Sequence, residues 1–145
     1  MPVREFRDHR VIVFVTVCAS ARKSILNRPE VHYLLVNAWR LAVGWKIGCY
    51  VLMPDHLHLF CSPVAPEYTS LARWVQYWKA NVSRSWLWPE EQPIWQKSFW
   101  DVQLRKNECY EEKWQYVLEN PVRRNLVARS KEWPFQGEID ILEWY

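Results

Sequence analysis

Glycine is scarce in this 145-residue chain, which has only Gly44, Gly48 and Gly137. A loop that cradles phosphate with backbone N–H groups needs several glycines close together. P-loop and dinucleotide-binding architectures are therefore excluded. The four cysteines, Cys18, Cys49, Cys61 and Cys109, form no C-x-x-C pair. That spacing removes zinc ribbons and thioredoxin-type redox sites. Cys18, Cys49 and Cys61 lie in apolar, strand-like runs, where a free thiol acts as a small core side chain. No uninterrupted apolar stretch reaches the roughly 18 residues of a membrane span. The first ten residues, MPVREFRDHR, are charged and do not read as a signal peptide. The expectation is a cytoplasmic protein with reduced thiols and no membrane partner. Internal repeats and low-complexity segments are also missing.

What the chain does have is tryptophan. Half of its residues are hydrophobic, enough for a sizeable core, and eleven are Trp. Core packing is the default role of any one indole. Indoles left at the surface are platforms for stacking on unpaired bases. The net charge is +3, with a pI near 8.7. Arginine outnumbers lysine, 12 to 7. Guanidinium groups make planar, paired contacts with phosphate, so the balance leans toward an anionic partner.

The length fits one domain, residues 1–145. Segment 10–18, RVIVFVTVC, is β-branched and aromatic and predicts a strand. Segment 28–44 places Val31, Leu34, Leu35, Ala38, Leu41 and Ala42 on one helical stripe, with Pro29 early and Gly44 after the end. Segments 45–53 and 56–62 predict a strand pair joined by a turn at Pro54-Asp55. Segment 69–86 is a second helix, 93–106 a fourth strand and 107–120 a short helix stopped by Pro121. The order β-α-β-β-α-β plus an added helix predicts an α+β, ferredoxin-like sandwich with an antiparallel sheet and helices on one face.

The stretch VLMPDHLHLF holds the first chemistry-bearing residues. On a strand, side chains alternate. His56, His58 and Phe60 share one face, while Leu57, Leu59 and Cys61 share the other. With the apolar set inward, the two imidazoles stand side by side, near enough to chelate one divalent ion. Surface or core histidines are the plain alternative.

The helix at 107–120 adds a second group. Cys109, Tyr110, Trp114, Val117 and Leu118 form its apolar stripe, and Tyr116 lies nearly opposite. At about 100° per residue, Tyr116 and Asn120 form an i, i+4 pair on the polar face, with Glu112 and Glu119 nearby. Two imidazoles plus an amide or carboxylate oxygen make a three-ligand site for Mg²⁺ or Mn²⁺, with positions open for phosphate. The plain alternative is an ordinary exposed Tyr with Asn120 ending the helix before Pro121.

Together these pieces resemble a known family. VLMPDHLHLF resembles the HUH motif (His, hydrophobic, His) of single-tyrosine transposases. WQYVLENPVRRNLV resembles their tyrosine helix, in which Asn-Pro follows the nucleophile. PIWQKSFWDVQLRK resembles the strand between the two. The combination, spanning roughly residues 10–135, is most similar to the REP-associated tyrosine transposases, small bacterial relatives of insertion-sequence enzymes.

The resemblance implies an HUH endonuclease fold with the added helix as the catalytic one. It makes Tyr116 the nucleophile and His56, His58 and Asn120 the ligands of Mg²⁺ or Mn²⁺. Glu119 competes with Asn120, and Tyr110 is the rival tyrosine. The implied activity is nicking and rejoining of single-stranded DNA beside REP-like hairpins, through a covalent 5′-phosphotyrosine. Arg4, Arg7, Arg10, Arg105, Lys106, Arg123 and Arg124 become candidate DNA-binding residues, with Arg129 and Lys131 beyond them. His9 and His32 read as incidental. The family contains monomers and homodimers, and the chain length allows either. Three other readings use the same residues: a replication initiator or relaxase, a domesticated hairpin binder that no longer cleaves, and a metal-stabilised interaction module.

Overall fold

The computed structural model describes residues 11–64, 69–105 and 108–142. Strand β1, Val13–Cys18, is a run of Val, Phe and Thr that suits a pleated surface. Helix α1, Pro29–Leu41, starts with Pro in its first turn and buries Val31, Leu35, Ala38 and Trp39. Gly44 at φ 105° turns the chain into β2, Trp45–Leu52, a conformation that glycine adopts freely. A tight turn, in which the Met53 N–H donates to the His56 carbonyl at 2.8 Å, leads into β3, His56–Pro63. Helix α2, Leu71–Arg84, is capped by the Ser70 hydroxyl, which accepts from the Arg73 N–H at 3.2 Å. Then come β4, Trp100–Gln103; α3, Tyr110–Leu118; α4, Asn120–Arg123; and β5, Gln136–Glu138.

All strand pairs are antiparallel, in the order β4-β1-β3-β2-β5. The first four strands give the sandwich topology expected from the sequence. On one face Val13, Val15, Val17, Leu57, Leu59 and Cys61 meet Leu35 and Trp39 of α1 and Trp74, Val75 and Trp78 of α2. On the other face Cys49, Val51, Met53 and Phe60 meet Tyr110 and Val117 of α3. Helices on one face therefore describes α1 and α2 only. α3 covers the second face, and the sheet is the middle of three layers.

Three segments depart from the sequence expectation. The strand expected over 93–106 shrinks to Trp100–Gln103, with an isolated bridge between Ala19 and Trp95. Before it, Ile94 and Trp95 are pegs in the core, and the Lys79 ammonium holds the Gln96 carbonyl at 2.8 Å. Anchored to α2, this stretch meets only the end of β1, where the Gln96 N–H donates to the Cys18 carbonyl at 3.0 Å and the Ser20 N–H to the Ile94 carbonyl at 2.7 Å. The helix expected over 107–120 breaks at Glu119, and Pro121 enters the first turn of α4 rather than ending the path. β5 was not foreseen, because three residues, QGE, carry no strand pattern; Gly137 fits there because a Cβ would sit 2.6 Å from the Tyr50 hydroxyl.

Tryptophan is mostly core. Trp39, Trp45, Trp74, Trp78, Trp86, Trp95 and Trp133 are buried, and several indoles tie loops to the sheet and helices. Trp74 donates to the Ala42 carbonyl at 3.0 Å and Trp133 to the Leu52 carbonyl at 2.9 Å. Among the described residues no helix is long and apolar enough to cross a membrane.

β2 carries one extra residue against β3. Ile47 pairs with Cys61 and Tyr50 with Leu59, a bulge centred near Gly48. The Tyr110 hydroxyl fills that bulge and accepts the Cys49 N–H at 3.0 Å. A Cβ on Gly48 would collide with that hydroxyl and lie 2.7 Å from Leu142. Gly48→Ala is expected to destabilise the fold by about 1–3 kcal/mol, as overpacking does. A shift of the urea midpoint with unchanged slope would show it.

Candidate active site

The register of β1 on β3 builds the site. Thr16 lies opposite His58, and Cys18 opposite His56. The two imidazoles stand 4.8 Å apart between ring centroids, at 74°. His58 stacks on Phe14 at 5.0 Å and 24°, so its ring plane is fixed by packing.

Each Nδ1 is engaged. That of His58 shares a hydrogen bond with the Thr16 hydroxyl at 2.9 Å, and that of His56 lies 2.8 Å from Asp55 Oδ1. Burial pushes the Asp55 carboxyl up, but hydrogen bonds from His56 and Arg22 outweigh it and hold the carboxyl below its ordinary range. An ionised carboxylate only accepts, so the His56 proton sits on Nδ1. Its Nε2 lone pair is left facing away from the carboxylate. Carboxylate–His contacts of this kind orient metal-binding imidazoles.

Asp55 is itself held. Arg22 donates from Nε to Asp55 Oδ2 at 3.0 Å, with Nη2 at the same distance. Arg22 and Ala21 both have positive φ, 53° and 55°, in the turn after β1. Left-handed backbone at a non-glycine residue costs on the order of 1–3 kcal/mol. The strained turn brings the guanidinium back against the β2–β3 hairpin.

Both imidazoles are poor bases in the folded chain. Burial lowers the proton affinity of His56, against the opposing pull of Asp55, and the charges of Arg22 and Arg124 push the same way as burial. Burial, with a smaller contribution from His56, brings His58 down to about 3. The pair is therefore neutral at pH 7, the protonation state that binds metal.

The helices α3 and α4 lie on the same face as these imidazoles. Tyr110 packs on Phe60, the next residue in the histidine row, at 5.1 Å. Tyr110 is buried with its hydroxyl spent on Cys49, and burial raises its pKa. Tyr116 is 67 % exposed. The Arg123 guanidinium lies 4.1 Å over the Tyr116 ring and donates to the Tyr116 carbonyl at 2.7 Å and to Asn120 Oδ1. The Asn120 oxygen is thus occupied by Arg123. Among the described residues no group of three or more His, Cys, Asp and Glu side chains is arranged to hold a metal ion.

Of the candidate DNA contacts, Arg4, Arg7, Arg10 and Lys106 lie outside the described residues. Arg105 is exposed just after β4, and its N–H donates to Glu108 at 2.7 Å. Arg123 is exposed and lies over the Tyr116 ring, and Arg124 is exposed at the end of α4. Thr16, Arg22 and Asp55 were missed in the sequence. Asp55, next to His56, was visible as a possible partner. Thr16 needed the strand register, and Arg22 needed the positive-φ turn.

No family model matches the chain. A protein of Escherichia coli (strain K12), the REP-associated tyrosine transposase, is 26 % identical over 129 residues, covering 89 % of this chain and 69 % of that protein. The chain is similar to REP-associated tyrosine transposases. A solved structure of the REP-associated tyrosine transposase bound to a REP hairpin superposes with a TM-score of 0.72 at 21 % identity, over 88 % of this chain and 76 % of that one. A candidate transposase from Deinococcus radiodurans R1 superposes with a TM-score of 0.53 at 20 % identity, over 75 % of this chain and 88 % of that one. At these identities the two structures show a shared fold.

The lowered histidines set a pH dependence for the metal-free protein. Each binds a proton less readily folded than unfolded, where the ordinary value is 6.5. Their contribution to stability is complete above about pH 6.5 and is lost as the pH falls; for His58 the loss runs toward about 3. In an NMR titration His58 should stay neutral at pH 5, and His58→Gln should flatten the acid side of the stability profile. A His58 midpoint near 6.5 would contradict the burial argument.

Proposed function

We propose that this protein is a metal-dependent transposase that nicks and rejoins single-stranded DNA beside hairpins. The observation that carries this reading is the pair of neutral imidazoles, each anchored at Nδ1, on the sheet face that also bears the helix of an exposed tyrosine. The similarity to the E. coli REP-associated tyrosine transposase supports it, and so does the fold shared with a relative bound to a REP hairpin.

His56 and His58 are the residues that would hold a Mg²⁺ or Mn²⁺ ion, with Asn120, whose oxygen now accepts from Arg123, as the third ligand. Held there, such an ion would supply Lewis-acid charge for a phosphate oxygen. Tyr116 attacks phosphorus, a Tyr–O–P bond forms and the bond to the 3′-oxygen breaks. The phenolic proton is lost, and the departing 3′-oxygen gains one. The 5′-phosphotyrosine conserves the bond energy, so attack by another 3′-hydroxyl rejoins the strand without ATP. Arg123, over the ring of Tyr116, restricts its rotation, and Arg124 supplies positive charge beside the phosphate. Tyr110 takes no part, since its hydroxyl is committed to the β2 bulge.

The direct test is a denaturing gel of the protein mixed with labelled hairpins bearing single-stranded flanks. A covalent adduct should form with Mn²⁺, vanish with chelator and vanish in Tyr116→Phe. An adduct that persists in Tyr116→Phe sinks the assignment. Tight hairpin binding without any adduct supports the non-cleaving binder instead. Asp55→Asn should weaken Mn²⁺ binding about 10–100-fold by calorimetry while leaving the circular dichroism spectrum unchanged. Unchanged affinity would remove Asp55 from the metal site.

A further inference from the structure

The histidine face of the sheet is only partly roofed. α3 meets β2 through Tyr110 and the Cys49 N–H, while the edge strand β4 is exposed along all four residues. Trp100 is 57 % exposed and Val102 is 61 % exposed. Seven other tryptophans are buried, and Trp88 and Trp114 are half-buried. Among the described residues, Trp100 is the indole left in water.

Its position is set by register. Trp100 lies opposite Thr16, and Thr16 opposite His58. Directly opposed residues of antiparallel strands point to the same face. Trp100, Thr16 and His58 therefore form one row across three strands. Val102, Phe14 and Phe60 form the next row. Phe14 stacks on His58 and packs against Phe60 at 5.0 Å, so an aromatic floor runs from the histidines toward the edge. With strands about 4.8 Å apart, Trp100 stands about 10 Å from His58 along the row. That equals about three stacked-base rises of 3.4 Å.

We propose that Trp100 is a stacking platform for an unpaired base of the single strand flanking the scissile phosphate. This rests on the reading of the chain as a single-strand DNA enzyme. An indole face accepts any base without hydrogen-bond readout. Cationic groups bracket the row: Arg105 follows β4, while Arg22 and Arg124 act on His56 at the other end. A polyanion fits that charge distribution. A second copy of the chain adding a strand fits less well, because β4 has only four residues and carries Asp101 among them.

The test is binding measured by fluorescence anisotropy with chelator present, so that no cleavage intervenes. The probes are a hairpin with 5′ or 3′ single-stranded flanks and the same hairpin with blunt ends. Trp100→Ala should weaken binding of one flanked hairpin about 10-fold and leave the blunt hairpin unchanged. Trp100→Phe should recover most of the loss. An abasic site walked through the flank should reveal one position at which the wild-type protein falls to the level of Trp100→Ala. That scan uses the unaltered protein and does not depend on a variant folding. Equal binding by Trp100→Ala and wild type overturns the proposal, as does an equal loss on blunt hairpins. A dimer that dissociates in Trp100→Ala also overturns it, assigning the indole to a second copy. An absent covalent adduct with intact flank binding sinks the cleavage reading and leaves the stacking site standing.

Discussion

The site depends on one pairing, that of β1 with β3. It sets Thr16 against His58 and Cys18 against His56 while directing Val13, Val15, Val17, Leu57, Leu59 and Cys61 into the core. Strand side chains alternate with period two, so a slip of one residue would send the histidines inward and the leucines out. Such a slip would bury two polar rings among aliphatic groups without partners. The core that favours the native register is therefore the same force that aligns the imidazoles, and it reaches one row further to place Trp100.

The two tyrosines of α3 differ in environment rather than chemistry. Tyr110 points into the sheet, where Gly48 leaves room for its hydroxyl and Cys49 gives it a donor. Tyr116, six residues on, is exposed and carries the Arg123 guanidinium over its ring. Tyr110 fixes the start of the helix on β2, and its anchorage sets the direction in which Tyr116 is presented. A structural tyrosine thus orients an available one.

Electrostatics around the histidines follow the same division. The chain Arg22–Asp55–His56 places a cation, an anion and a neutral imidazole in line. Asp55 fixes the His56 tautomer, and burial keeps the ring uncharged. Thr16 and Phe14 hold His58 by a hydrogen bond and a stacked ring. Neither histidine has to pay the full cost of ordering when an ion arrives, because both rings are already fixed by neighbours.

The sequence by itself determined the local features. The β-branched run of β1, the apolar stripes of α1 and α2 and the alternation in HLHLF each follow from chemistry within a few residues. The same holds for the opposed faces of Tyr110 and Tyr116, and so the α+β order and the candidate site residues could be read from it. Tertiary structure alone decided the rest. Residues 93–99 lost their strand to anchoring on Lys79, and α3 took the second sheet face because Tyr110 found the bulge at Gly48. Thr16 joined His58 across 42 positions, and Arg22 reached Asp55 across 33. Pairings at such separations leave no periodic trace along the chain. They are set by strand register and loop path, which form only when the whole sheet is assembled.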